Sequence, residues 1–264
     1  MRIVLVLAAA LAFASPAAAE RIVYESRGAV WSTAPDGSGQ RQLVARGSAP
    51  ALSPDGMRVA FADLVRNGVF VVRADGGGLR RVTTGLDVDP TWSPDGRRLA
   101  FARLLPGGTS AIELVSAAGG RVARITSGGF HDLQPAWAPN GLRIAFARTG
   151  RARFARPQIA TLSPTGRAPR LRGQGSQPAW SPDGARLAVT DAAQRIVLVS
   201  ADGRARMTLT AGTMPAWSPD GSRVAYASGK ASPSEQPDIY TIAVDGSGDQ
   251  RLTSRPPSRA PDWG

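Results

Sequence analysis

The sequence predicts an all-β protein: a six-bladed β-propeller built from four-stranded antiparallel blades. Three observations predict this fold: a repeated seven-residue phrase, its spacing of about 40 residues, and an excess of turn-forming residues. The chain contains 30 glycines and 21 prolines, together 51 of its 264 residues or about 19%. Average usage of these two residues is about 12%. Because 42% of the residues are hydrophobic, the chain can bury a core, and the excess indicates turns rather than disorder.

The repeated phrase occurs in five full copies and one clipped copy. A full copy has a leading proline, usually a tryptophan, and then Ser-Pro-Asp-Gly or a close variant of it. The leading prolines are 40, 45, 43, 37 and 46 residues apart, which is the period of blades with four strands. The copies are residues 50–56, 90–96, 135–141, 178–184, 215–221 and 261–264.

Each repeat predicts a first strand, a tight turn and a second strand. The proline marks the start of the first strand, where its missing N–H is tolerated, and Ser-Pro-Asp-Gly has the residues of a tight turn. The second strand alternates large residues with alanine, as in Leu99 and Phe101 against Ala100 and Ala102. Because neither face of this strand is polar, we expect neighbouring blades to cover both faces, large residues against small ones.

The remaining strands of a repeat differ in polarity. A third, apolar strand such as residues 69–72 leads through a second glycine turn to an arginine-bearing strand such as residues 80–83. Charges suit an outer edge strand because they discourage pairing with other chains. Residues 21–24 resemble a second strand, and residues 259–264 a first strand. We therefore expect the N- and C-terminal strands to pair in one blade and close the ring.

The N-terminus has the order of a secretory signal peptide. Met1 and Arg2 precede an apolar run over residues 3–13, and residues 17–19 are alanines suited to cleavage. The run is shorter than the ~20 residues that a membrane-spanning helix needs, although an uncleaved anchor is the alternative. We expect a signal peptide over residues 1–19, a propeller over residues 20–264, and a periplasmic or secreted protein without a transmembrane span.

The repeated phrase, followed at once by a strand such as Leu-Ala-Phe, resembles the propeller repeat of the TolB family. Similar repeats occur in the propeller domain of prolyl-oligopeptidase-type peptidases. The resemblance covers residues 20–264 and implies a propeller outside the cytoplasm that binds proteins and has no catalytic site. Because Glu20 leads directly into a predicted strand, we expect no counterpart of the family's N-terminal α/β domain, and the resemblance does not imply a Tol–Pal role.

Composition argues against several kinds of catalytic site. The chain has no cysteine and one histidine, His131, which excludes thiolate metal sites, iron–sulfur clusters and histidine-rich metal centres. It also lacks the nucleophile elbow of serine hydrolases and the aspartate-rich calcium loop. We expect no catalytic residue and no cofactor. The alternative is a metal-dependent lyase or hydrolase acting in the central channel.

The positions near each leading proline are not dictated by the repeat, and in a propeller they face the rim of the channel. We predict that they bind a protein or peptide of the cell envelope; docking as a subunit of another envelope protein is a further alternative. His131 beside Asp132 has the residue types of a general base, and aspartates 87, 89 and 132 suit calcium, although rim and loop roles are simpler interpretations. The predicted rim residues are Asp87, Asp89, His131, Asp132, Gln134, Gln177, Met214 and Arg259.

The formal net charge is +12, and Lys230 is the only lysine beside many arginines. Because the arginines recur at fixed places in the repeat, we expect them to be spread around the ring. They are densest over residues 143–172, which include an inserted loop at residues 149–157. This charge predicts weak, salt-screened attraction to anionic envelope polymers. Nucleic acid is not expected, since no aromatic stacking platform is present, and we expect a monomer.

Overall fold

The computed structural model describes residues 20–127, 129–150, 155–166, 168–229, 237–253 and 258–264. The predicted signal peptide therefore lies outside the described residues. No helix in these ranges is long and apolar enough to cross a membrane. The described strands are β1 (Ile22–Ser26), β2 (Ala29–Thr33), β3 (Arg41–Val44), β4 (Ser48–Leu52), β5 (Arg58–Asp63), β6 (Gly68–Arg73), β7 (Arg80–Arg81), β8 (Asp87–Trp92), β9 (Arg98–Leu104), β10 (Ser110–Ser116), β11 (Ala123–Arg124), β12 (His131–Trp137), β13 (Ile144–Thr149), β14 (Gln158–Leu162), β15 (Arg170–Gln174), β16 (Ser176–Trp180), β17 (Arg186–Thr190), β18 (Arg195–Ser200), β19 (Arg206–Ala211), β20 (Thr213–Trp217), β21 (Arg223–Ser228), β22 (Asp238–Ala243), β23 (Gln250–Arg251) and β24 (Ser258–Trp263).

The strands form an all-β propeller, but the prediction of six separate four-stranded blades is wrong. In the described part of the chain, four blades have four strands each: β24-β1-β2-β3, β4 to β7, β16 to β19, and β20 to β23. Strands β8 to β15 instead belong to one eight-stranded sheet. The propeller thus combines four four-stranded blades with one larger sheet.

A parallel backbone contact joins the two halves of the larger sheet. Ser110, at the start of β10, pairs with His131, at the start of β12. The Ser110 amide donates to the carbonyl of Phe130 at 3.1 Å, and its hydroxyl donates to the carbonyl of Asp132 at 2.9 Å. The repeated phrase marks the tight turns, but it gives no sign that the starts of β10 and β12 approach each other. The spacing therefore predicted a boundary between two blades, and backbone hydrogen bonds join the two sheets across it.

The two chain ends pair as the sequence predicts. Strand β24 runs antiparallel to β1, with Trp263 opposite Ile22 and Ser258 opposite Ser26. Beyond the strands, the amide of Arg21 donates to the carbonyl of Gly264 at 2.8 Å, and the return bond is 3.1 Å long. The first strand of this blade is therefore supplied by the C-terminus, and the ring is closed by hydrogen bonds.

The core lies between neighbouring sheets and shows the expected packing of large residues against small ones. Leu99 and Phe101 of β9 pack against Ala60 of β5, in a cluster with Val69 and Val71. The other face of β9, with its alanines, packs against β13 and β14. The large side chains of each second strand therefore pack against one neighbouring sheet, and its alanines pack against the large side chains of the other. This packing between sheets positions the first strands around the axis of the ring.

The aspartates of the Ser-Pro-Asp-Gly turns are structural. In the turn after β20, the Asp220 carboxylate accepts hydrogen bonds from the hydroxyl of Ser218 and from the amide and hydroxyl of Ser222. These bonds stabilise the ionised form, the Ser218 hydroxyl most, and lower the pKa of Asp220 to about 2. Gly221 follows with φ +70°, a conformation that glycine adopts without steric cost.

Candidate functional site in the central channel

The first strands of the propeller surround a cavity of about 520 Å³. Strands β4, β8, β12, β16, β20 and β24 each contribute a leading proline to its wall. Cavities of this size and position are the usual places for ligands in folded domains. The walls of this channel are therefore the candidate functional site.

The residue before each leading proline has a left-handed backbone, although none of them is glycine. Non-glycine residues adopt this conformation rarely, and here it coincides with a bulge in the pairing of the first strand with the second. A bulge re-aims the residue that it contains, and all six residues line the cavity. These ring residues are Ala49 (φ 45°), Asp89 (φ 51°), Gln134 (φ 56°), Gln177 (φ 53°), Met214 (φ 56°) and Ala260 (φ 49°).

Hydrogen bonds connect successive ring residues around the channel. The Gln134 amide donates to Oδ2 of Asp89 at 3.2 Å, and the Gln177 amide donates to Oε1 of Gln134 at 2.9 Å. The Met214 amide donates to Oε1 of Gln177 at 3.1 Å, and the Ala260 amide lies 3.2 Å from Sδ of Met214. Each of these side chains thus accepts a hydrogen bond from a backbone amide of the next repeat. This bond fixes the orientation of the side chain in the channel.

This series of hydrogen bonds stops at two alanines. Ala260 and Ala49 are consecutive in the ring, and their methyl groups cannot accept the amides of Ala49 and Asp89. Asp262 lies in the same sector and accepts a hydrogen bond from the amide of Leu52 at 2.7 Å. The ring therefore has a gap where the chain ends close the propeller.

The channel is acidic, in contrast to the whole chain. Burial raises the pKa of Asp89 to about 6, partly offset by the Gln134 amide. Burial also raises the pKa of Asp262 to about 6, partly offset by backbone amides. Arg259 lines the cavity too, but its guanidinium donates to Oε1 of Glu25 at 3.1 and 2.8 Å. The guanidinium is therefore engaged with a third carboxylate rather than with the two aspartates.

The structure divides the predicted rim residues into two groups. Five line the cavity: Asp89, Gln134, Gln177, Met214 and Arg259. The other three, Asp87, His131 and Asp132, are not part of its wall. Their role in binding stays a prediction for both groups, because geometry alone does not assign a ligand.

Asp87 and Asp132 are held in equivalent buried ion pairs. Arg103 donates to both oxygens of Asp87 at 2.7 and 2.8 Å, and Arg148 donates to both oxygens of Asp132 at 2.7 and 2.8 Å. Both aspartates are fully buried, so each carboxylate is occupied by an arginine. Together with Asp89, which faces the cavity, they do not converge on one point.

His131 is partly exposed at the start of β12, opposite Thr149. Within the described ranges, no group of three or more histidines and carboxylates has a geometry that could hold a metal ion. Part of the predicted basic sector, including Arg151, Arg153 and Arg167, lies outside the described residues. That sector is therefore not placed in full.

Sequence reasoning missed three features of the site: the gap at Ala49 and Ala260, the half-buried Asp262, and Glu25 beside Arg259. A signal for the first two is present in the repeat. Ala49 and Ala260 occupy the position of Gln177, and Asp262 stands where the other copies have alanine or threonine. Comparing copies position by position, including the small residues, would have found them.

Comparison with known proteins agrees with this architecture. The TolB beta propeller domain family matches residues 37–167. Over these residues the chain resembles a TolB-like β-propeller. A search of curated proteins found no match to the sequence.

Three solved structures show the same fold as the TolB-like propeller. TolB from Acinetobacter baumannii superposes with a TM-score of 0.79 at 20% identity, covering 92% of this chain and 66% of that protein. A putative TolB from Agrobacterium tumefaciens gives 0.71 at 20% identity, with coverages of 89% and 88%. A chain of a nidogen/laminin complex gives 0.75 at 13% identity, with coverages of 92% and 98%. At these identities the likeness shows the fold alone.

Proposed function

We propose that the chain is an exported, non-catalytic propeller whose channel binds a segment of a protein or peptide of the cell envelope. The observation that carries this proposal is the set of ring residues, fixed by mutual hydrogen bonds around a cavity of about 520 Å³. The match to the TolB beta propeller domain family supports the class of protein. The structure of the nidogen/laminin complex supports a propeller as a partner in protein complexes.

The channel would act by rigid display. The side-chain oxygens of Gln134 and Gln177 already accept backbone amides, so their NH₂ groups are oriented for an incoming chain. An extended peptide offers carbonyl groups that such donors recognise. Because the ring is held before the ligand arrives, little conformational entropy is lost on binding.

The proposal includes no reaction in the channel. The two aspartates beside the only histidine and at the start of β8 are engaged with arginines, Asp132 with Arg148 and Asp87 with Arg103. A general base must reach the proton that it abstracts, and a carboxylate held by two guanidinium bonds is poorly placed to do so. Burial accounts for the raised pKa values of Asp89 and Asp262, and within the described ranges no group of three or more histidines and carboxylates could hold the metal ion that the lyase or hydrolase would need.

Photo-crosslinking from the channel tests the binding proposal. A photoreactive residue replaces Met214, which lines the cavity, and in a control it replaces Met207, which is 49% exposed on the outer strand β19. We expect a discrete crosslinked partner from position 214 and none from position 207. Identical products at both positions, or no product at position 214, would contradict the proposal.

Export is proposed from residues 1–19 and is tested separately. These residues, fused to a reporter that is active only outside the cytoplasm, should give activity, whereas replacing the apolar run over residues 3–13 with serines should abolish it. Equal activity of the two fusions would contradict export by this segment. We also propose a monomer, which sedimentation of the mature chain checks.

A further inference from the structure

One face of the propeller carries a group of exposed apolar side chains outside the channel. This face holds the ends of the second strands and lies opposite the Ser-Pro-Asp-Gly turns. Of the ten exposed large hydrophobic residues in the described part of the chain, five lie here, and we call them the apolar arc. Its members are Leu64, Val65, Leu86, Leu104 and Phe130.

Backbone contacts place three members of the apolar arc, Leu86, Leu104 and Phe130, next to one another. The amide of Leu104 donates to the carbonyl of Leu86 at 2.9 Å. Ser110 pairs with Leu104 across the β9–β10 turn and donates its amide to the carbonyl of Phe130. The arc thus crosses the junction of the eight-stranded sheet. At its other end, the β5–β6 loop carries Leu64 and Val65.

Beneath the apolar arc, carboxylates are buried and their arginine partners lie nearer the surface. Four carboxylates lie beneath it, each at most 3% exposed, and each is paired with an arginine that is nearer the surface. The pairs are Asp63–Arg66, Asp87–Arg103, Glu113–Arg124 and Asp132–Arg148. Because the carboxylates point inwards and the guanidinium groups outwards, the surface between the apolar side chains is cationic.

Aromatic contacts hold some of these arginines in place. The Arg148 guanidinium lies 4.4 Å from the ring centroid of Phe130 and 5.3 Å from that of Phe146. Arg103 lies 5.4 Å from the ring centroid of Phe101. Arg103 is fully engaged, because its third nitrogen also contacts Oε2 of Glu113 at 2.9 Å. The Arg148 guanidinium, held between one carboxylate and two rings, can still donate to a further acceptor with little entropy left to lose.

We propose that the apolar arc docks a segment of a partner protein that combines acidic with large apolar side chains. The apolar side chains would cover the five exposed residues. The carboxylates would meet Arg66 and Arg124, whose side chains are about half exposed, and the remaining donors of Arg148. A second copy fits less well, since it carries the same cationic arc and a net charge of +12. A lipid surface is the other possible occupant, and the vesicle measurement described below tests it.

A random-peptide library displayed on phage tests this surface with the full chain. Selection uses the wild-type protein, the arc variant L86E/L104E and the matched control L79E/L142E, whose exposed leucines lie away from the arc. Peptides enriched on the wild-type protein are then synthesised, and their affinities are measured by fluorescence anisotropy. Melting temperatures establish that both variants fold.

We expect the enriched peptides to combine aspartate or glutamate with leucine or an aromatic residue. Their affinity should fall about tenfold or more in L86E/L104E, stay unchanged in L79E/L142E, and weaken with salt. Enrichment of peptides without acidic residues, or equal affinity for both variants, would overturn the proposal. So would arc-dependent dimerisation in sedimentation, or arc-dependent binding to phosphatidylglycerol vesicles without peptide binding.

Discussion

The carboxamide oxygen of Gln134 accepts the backbone amide of Gln177 at 2.9 Å, and this contact joins the first strands of two repeats. Gln177 makes the same contact to Met214, and Asp89 makes it to Gln134. Each repeat has one residue with a strained, left-handed backbone, the residue before the leading proline. Where the series of hydrogen bonds runs, the amide of this residue is held by the side chain of the equivalent residue in the preceding repeat. The ring is defined by this relationship, and its gap follows from the alanines that cannot take part.

Filling the gap should stabilise the fold. In Ala49→Gln the new carboxamide would accept the amide of Asp89, as Gln134 accepts that of Gln177. One such hydrogen bond contributes about 1 kcal/mol, so the free energy of unfolding in urea should rise by about that amount. Ala193→Gln, at an exposed turn residue, is the control that should leave it unchanged. No gain in Ala49→Gln over this control would show that the gap is not a missing acceptor.

Asp89 should make the protein less stable as the pH rises. Its pKa is about 6 in the fold against 3.8 when unfolded, so between these values the folded chain binds more protons and stability falls. Asn at this position keeps an acceptor for the Gln134 amide but carries no charge. We expect Asp89→Asn to be more stable than wild type by about 3 kcal/mol at pH 7, and to lose most of the advantage near pH 4.

Asp220→Asn gives the opposite control for this pH dependence. The pKa of Asp220 is lowered to about 2, so its stabilisation is present above the unfolded value and is lost as the pH falls through 3.8 towards 2. Urea unfolding of both variants from pH 3 to 8 should therefore show trends of opposite sign. Parallel curves would mean that burial of Asp89 is not what governs its titration.

Removing Arg148 alone should lower the stability of the fold more than replacing both Asp132 and Arg148 with apolar residues. Arg148→Leu leaves the Asp132 carboxylate buried without a partner and should destabilise by about 3 kcal/mol. The double variant Asp132→Leu/Arg148→Leu should recover part of this loss, because no charge is then left in the core. Arg204→Leu, which removes a side chain 90% exposed, should change stability by less than about 1 kcal/mol. Equal effects of Arg148→Leu and Arg204→Leu would contradict a buried pair.

The pairing of the chain ends should support the whole ring. Deleting residues 258–264 removes β24, which pairs with β1 and lines part of the cavity, and should strongly lower the melting temperature. An unchanged calorimetric transition would refute this role of the chain ends.

A disulfide gives the converse test of the closure. Ser26 and Ser258 are paired across β1 and β24, and the chain has no cysteine of its own. The variant S26C/S258C should melt at a higher temperature when oxidised than when reduced, because the cross-link restricts the unfolded chain. If oxidation lowers or does not change the melting temperature, closure of the ring does not limit stability.

The repeat determined much of the fold because each of its elements is a local property of a few residues. Ser-Pro-Asp-Gly forms its turn from its own hydrogen bonds, as Asp220 shows. The alternation of Leu99 and Phe101 with alanine dictates packing on both sides of β9. The pairing of β24 with β1 followed from an unfinished repeat at each end. These features need no knowledge of distant residues.

The tertiary structure alone decided which of two nearby aspartates faces the channel. Asp87 and Asp89 are two residues apart and would share one face of a regular strand. The bulge at Asp89 breaks that alternation, so Asp87 turns to Arg103 while Asp89 lines the cavity. The joining of two blades at Ser110 and His131 and the sorting of charges beneath the apolar arc have the same origin. Each depends on the approach of residues far apart in the chain, which packing determines and a repeat period does not.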